Sequence, residues 1–239
     1  EKIVMSASKF ITASTNYEET LISESYQVES QKIKQINPGV DYELFVADQS
    51  IERENIFLSI GRIQQQKGQL ETLRFLNSFK EIETNFMCYF VGGPSGSTGE
   101  EYLLELKESV KELSLDSHVK FLGNLPQVDI RNLLNKAKLL IHTSQYETFG
   151  LVAIEANSMG VPVLTTNNGS MQEIIVNEEN GYLVDGLHYH NVNTSIKNLI
   201  NNNQYFEEVM INCMHKSKDY RWENTVDRLL DLYQEAKFS

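Results

Sequence analysis

Apolar positions in this chain fall in short blocks, at Ile56–Ile60, Phe86–Val91, His118–Leu122, Leu139–His142, Val161–Thr165 and Tyr182–Val184. The blocks do not alternate strictly between apolar and polar residues, as is typical of parallel strands covered on both faces. Between them lie Gly68–Lys80, Glu100–Leu113, Gln127–Lys136, Phe149–Met159 and Ser170–Val176. Their apolar residues recur every three or four positions, which predicts helices with one buried face. Strand followed by helix, repeated, predicts an α/β fold around a doubly wound parallel sheet. Such sheets bind ligands at the carboxyl ends of their strands, so the polar loops after the strands are where chemistry is expected.

The ends of the chain break this rhythm. Phe10–Ala13 and Lys32–Ile36 each read as a strand, and Asn37-Pro38-Gly39 is a turn signal. Two strands cannot bury a core alone, so residues 1–45 are expected to belong to a domain mostly outside this sequence and to be poorly anchored or paired with another copy. Residues 46–220 form the main domain. A terminal helix over Trp222–Lys237 dominates residues 221–239, after a polar, Asn-rich stretch near Asn201–Gln204.

Composition narrows the class. The chain has 239 residues, 41% apolar and 23% charged, as expected of one large soluble domain or a domain plus part of another. A formal net charge of −12 repels phosphate backbones and argues against both nucleic-acid binding and a polybasic membrane anchor. No apolar run approaches the ~20 residues of a membrane helix, and no signal peptide is visible at Glu1-Lys2-Ile3-Val4. The chain starts without Met, as expected of an excised or processed domain. Cys88 and Cys213 suggest no disulfide scaffold, and Cys88 reads as a reduced core thiol. A cytoplasmic location, free or peripheral at the inner membrane face, is expected.

Three strand ends carry unusual residues. In Gly61-Arg62-Ile63-Gln64-Gln65-Gln66-Lys67-Gly68, two cations flank a polar loop before a helix. They either meet one anionic group or are solvated surface charges. Val91-Gly92-Gly93-Pro94-Ser95-Gly96-Ser97-Thr98-Gly99 either lets backbone approach a ligand closely or is a flexible connection. It is not a phosphate-binding P-loop, because no Gly-Lys-Ser/Thr follows. In Glu147-Thr148-Phe149-Gly150-Leu151-Val152-Ala153-Ile154-Glu155, the amides of Phe149, Gly150 and Leu151 stand free at a helix start and suit a diphosphate. Ile154 and Ala156 face the core. Glu155 could accept two bonds from a vicinal diol such as ribose; two surface glutamates are the alternative.

Together these segments resemble glycosyltransferase family 4, also called group 1. Asn37-Pro38-Gly39-Val40-Asp41 resembles its linker motif. Ser59-Ile60-Gly61-Arg62 through Lys67-Gly68 matches its Gly-Arg…Lys-Gly motif, and Lys120-Phe121-Leu122-Gly123 resembles its base-contacting strand end. Glu147 through Glu155 matches its two-glutamate signature. Asn168-Gly169-Ser170 with Glu173-Ile174-Ile175 is similar to its Gly-Gly…Glu-Ile motif, although Asn168 replaces the usual Gly; Arg221-Trp222-Glu223 resembles the start of its terminal helix. The wording is especially similar to sucrose-phosphate synthases and inositol-phosphate glycosyltransferases.

The resemblance implies a Rossmann-like fold, the C-terminal half of a GT-B glycosyltransferase, with the N-terminal domain of the same enzyme as partner. Residues 1–45 would be the end of that domain and the linker, and the terminal helix would return towards it. Arg62 and Lys67 would hold a diphosphate, Glu155 the ribose and Glu147 the donor sugar. The amides at Phe149, Gly150 and Leu151 would serve the phosphates or sugar, with Gly61, Gly92 and Gly93 in the donor site and Lys120 and Leu122 near the base. Arg62, Lys67 and Glu147 are the catalytic candidates. The implied reaction is retaining hexosyl transfer from a UDP-sugar, or alternatively a GDP-sugar, to a hydroxyl acceptor: a saccharide, lipid-linked saccharide, protein or small polyol. This chain alone is expected to be inactive. No cofactor or metal is expected, since the Asp-x-Asp of metal-dependent GT-A enzymes occurs nowhere in the chain. Other readings are a non-catalytic nucleotide-sugar-binding or partner subunit, and a sugar-nucleotide epimerase, whose motif set differs. His188 and His190 lack a third metal ligand, His142 reads as a satisfied, partly buried side chain, and Ser144 lacks a nucleophile-elbow context.

Overall fold

The computed structural model describes residues 2–185 and 189–238; His188 lies outside them. Chain order begins α1 (Lys2–Ala7), β1 (Ile11–Ala13), α2 (Asn16–Tyr26) and β2 (Ile33–Gln35). It continues β3 (Ile56–Ile60), α3 (Gln69–Phe79), β4 (Met87–Val91), α4 (Gly99–Glu112), β5 (Val119–Gly123), α5 (Gln127–Lys136) and β6 (Ala137–His142). It ends α6 (Leu151–Ser158), β7 (Val163–Thr166), α7 (Met171–Ile174), β8 (Gly181–Val184), α8 (His190–Asn201), α9 (Asn203–Ser217) and α10 (Trp222–Phe238).

Strands β3 to β8 form one parallel sheet in the order β5-β4-β3-β6-β7-β8. Successive strands step outward from β3 to β5, then the chain returns to the other side of β3 and steps outward again. The reversal between β3 and β6 is the topological switch point, where such sheets open a crevice at their carboxyl ends. Successive strand residues feed opposite faces. Phe57, Leu139 and Ile141 join a core with α3, α4, α8 and α9, whereas Ile56, Leu58 and Leu140 join a second core with α5, α6 and α7. The doubly wound α/β class read from the pattern is the one observed.

Helices α1, α2, α8 and α9 go beyond the sequence reading. Helix α8 buries Val192, Ile196, Leu199 and Ile200 at helical spacing, and Asn202 starts α9 by accepting from the Tyr205 amide at 3.1 Å. The Asn-rich stretch is thus a helix junction. Helix α2 has no buried residue, so no apolar stripe marks it.

Strands β1 and β2 pair in parallel, apart from the main sheet. The segment is held rather than loose, contrary to the expectation of poor anchoring. Glu173 accepts from the Asn16 amide, the Asn16 side chain and the Tyr17 amide at 2.8–2.9 Å. Asn37 donates to the Ser14 carbonyl, while its carbonyl accepts from Thr225 at the start of α10. Lys9 donates to the Ala236 carbonyl, so α10 runs beside this segment.

Candidate functional site

A cleft of about 520 Å³ opens at the switch point. The end of β3 supplies Ile60, Gly61 and Arg62, the turn before α3 supplies Lys67, and the end of β6 supplies His142. The following loop and α6 supply Glu147 through Val152 and Glu155, while Ser14 and Pro38 come from the N-terminal segment.

The walls are braced by backbone and small side chains. Gly68 has φ +69°, and an added Cβ would lie 1.9 Å from the Thr143 carbonyl oxygen, so only glycine fits where the two loops touch. Thr143 Oγ1 donates to the Gly68 carbonyl at 2.7 Å, the Gln145 amide to the Gln66 carbonyl at 2.9 Å, and Gln69 to the Arg62 carbonyl at 2.8 Å. Ser170 donates through its amide and hydroxyl to the Glu147 carbonyl. The Asn168-Gly169-Ser170 turn therefore sets the backbone from which Glu147 projects.

Helix α6 begins after Gly150 at φ +86°, where a Cβ would meet the Met171 methyl at 2.6 Å. The Phe149, Gly150 and Leu151 amides donate to no acceptor among the described residues. They are the orphan donors of a helix start, at the positive end of its dipole. Phe149 is buried edge-on against Tyr220, while Ile154 and Ala156 face the core as read from the pattern.

The charged groups differ sharply. Arg62 is exposed and has no described partner, whereas Lys67 Nζ lies 2.9 Å from Glu147 Oε2. His142 Nε2 approaches the same oxygen at 3.2 Å. Burial works to raise the Glu147 carboxyl, but the hydrogen bonds and charges of His142 and Lys67 outweigh it and hold it at about 2. Glu155 has no described partner, and burial pushes it up to about 6.

The cleft thus brings together Gly61, Arg62, Lys67, Glu147, Phe149, Gly150, Leu151 and Glu155. Gly92, Gly93, Lys120 and Leu122 do not line it. Gly92 and Gly93 follow the end of β4, where the Gly92 amide bonds the Gly123 carbonyl and the Ile63 amide bonds the Gly93 carbonyl, and Lys120 and Leu122 lie in β5. His142 is the site residue that sequence reading passed over. It is satisfied, as expected, but by Glu147. Cys88 and Cys213 are buried free thiols, and the buried Ser144 hydroxyl has no described partner. Among the described residues no three His, Cys, Asp or Glu side chains cluster as a metal site, and no helix is long and apolar enough to cross a membrane.

The family model described as "Glycosyl transferases group 1" matches residues 41–213. A D-inositol 3-phosphate glycosyltransferase of Nocardioides sp. is 27% identical over 99% of this chain and 56% of its own length. The chain spans little more than half of the curated relatives it matches. A sucrose-phosphate synthase structure from Thermosynechococcus elongatus superposes with a TM-score of 0.84 at 22% identity, covering 98% of this chain and 60% of that one. The Anabaena protein HepE, solved with UDP and glucose, superposes at 0.82 with 20% identity over 97% and 64%.

Proposed function

The chain belongs to the group 1 glycosyl transferases, and from that premise we propose that it forms the donor-binding half of a retaining GT-B hexosyltransferase. The observation that carries the reading is the convergence of Arg62, Lys67, three unpaired amides and Glu155 on one cleft at the switch point. A nucleoside diphosphate offers each group a partner. Its phosphates meet the cations and the start of α6, and its ribose diol meets Glu155. Glu147, beside them, is left for hydroxyls of the sugar. HepE, which binds UDP and glucose, shares the fold, and this favours UDP over GDP.

Breaking the anomeric bond loads negative charge onto the leaving diphosphate. Fixed cations and helix amides stabilise that charge where it develops, without reorganising in the transition state. With retention, the leaving phosphate takes the acceptor proton. The cations do the work a metal performs elsewhere, so transfer by the full-length enzyme is expected to survive chelation. The acceptor binds against the N-terminal domain, and the enzyme works in the cytoplasm.

Calorimetry with UDP and GDP tests the reading. UDP should bind this chain, and Arg62→Ala should weaken it. Sugar transfer by the full-length enzyme in excess EDTA, with the product anomer read by NMR, tests the chemistry. Binding of neither nucleotide would remove the donor site, and metal-restorable loss of transfer would remove the metal-free mechanism.

A further inference from the structure

We propose that Glu147 is a gate on Lys67: it withholds the lysine from a spent nucleoside diphosphate and yields it to a sugar-bearing one. His142 is the positioning residue that keeps the carboxylate seated during the exchange. The inference rests on the donor-site reading above and extends it to product release.

One oxygen carries the argument. Lys67 Nζ, at 2.9 Å, and His142 Nε2, at 3.2 Å, both reach Glu147 Oε2, while Glu147 Oε1 accepts nothing from the described residues. The lysine and glutamate side chains are 24% and 16% exposed, and His142 is 6% exposed. A pair so shielded from water binds its members more firmly than a surface pair does. Among the described residues the cleft therefore offers an incoming diphosphate Arg62, whose side chain has no described partner, and Lys67, neutralised by a carboxylate.

Bare UDP must take Lys67 from Glu147 and give the carboxylate nothing in return. A sugar-bearing donor brings hydroxyls to Glu147 as its diphosphate takes the lysine, so the exchange is compensated. When the sugar leaves, Glu147 recovers Lys67 and the nucleotide loses a contact. His142 makes the exchange tolerable, because its N–H remains on Oε2 when the lysine turns away. Its place is set by strand register, in which His142 pairs with Thr165 at the end of β6. The gate thus favours donor over product with the same two side chains that bind the donor.

The test is a double-mutant cycle on this chain, titrated with UDP and with UDP-glucose. Glu147→Gln keeps the shape and removes the charge, and should tighten UDP about tenfold by freeing a charge-assisted donor. It should leave UDP-glucose no tighter. In a Lys67→Ala background the same change should tighten nothing, because the gated group is gone. His142→Leu should weaken UDP, and His142→Gln, which keeps an N–H donor, should restore it. Unchanged or weaker UDP binding in Glu147→Gln would overturn the gate, as would a gain that persists without Lys67, since that would be direct repulsion. No effect of His142→Leu would remove the histidine from it. The donor-site reading fails separately, if the wild-type chain binds neither UDP nor GDP or Arg62→Ala leaves UDP binding unchanged.

Discussion

The loop that carries Glu147 and the helix that carries Glu155 open into one cleft, yet they treat a carboxylate in opposite ways. Burial works to raise both. At Glu147, donors from His142 at the end of β6 and from the distant Lys67 overcome it and hold the group at about 2, whereas at Glu155 nothing opposes it and the group stands at about 6. The loop holds a carboxylate with two donors, and the helix holds one with no partner among the described residues. A partly buried carboxyl without a described partner, raised by desolvation in a cleft, is the kind of group that points to a functional site.

The largest expected effect removes the source of the difference. Lys67→Ala should lower kcat/KM of the full-length enzyme by roughly 10²–10³, the usual result of losing a charge-assisted donor to a developing anion. It should also leave Glu147 with His142 alone, so its titration should move towards that of Glu155, which NMR of the labelled carboxyl would follow. Wild-type kinetics would break the assignment.

Glu147→Gln should come next. The folded carboxyl titrates at about 2, below the unfolded value of about 4.3, so the unfolded chain binds the proton first. The stabilisation is complete above that unfolded value and fades as pH falls towards 2. Near neutral pH the variant should lose about 3 kcal/mol, read by denaturant unfolding, and the loss should shrink on acidification.

Glu155→Gln should act with the opposite sign and slightly less force. Here the folded state keeps a proton that the unfolded chain has released, so stability falls as pH rises from about 4.3 to about 6. Above that window the wild type carries the whole cost, and the variant should be more stable by up to about 2 kcal/mol. It should gain nothing near pH 4, and it should bind UDP more weakly. A less stable variant near neutral pH would show that Glu155 has a partner in the folded protein. Unchanged UDP binding would remove the ribose role.

Much of this contrast was readable along the chain. The runs ending at Ile60 and His142 are mostly apolar, Ser59 and Lys138 apart, because both faces of those strands are covered, and the polar residues after them stand out for that reason. The spacing from Glu147 to Glu155 across a glycine-started helix was visible too, as was the core-facing side of α6. Helices α8 and α9 were hidden by asparagines at their junction, although Val192, Ile196 and Leu199 already show the helical period. Helix α2 buries nothing and has no period to read. The role of His142 was not legible, because a histidine closing an apolar strand looks the same whether it meets a carbonyl, water or a carboxylate.

By itself the sequence determined the alternation of strands and helices, the glycines that permit close approach, and the polar residues at each strand end. These are local properties, set by period, propensity and side-chain chemistry. Only the tertiary structure decided that β3 and β6 lie side by side, and hence that Lys67 and Glu147, 80 positions apart, meet at 2.9 Å. The strength of a charge interaction depends on distance and on shielding from water. Neither is written in the residue types. The same amino acid therefore became a carboxylate held ionised at 147 and one whose charge is disfavoured by burial at 155.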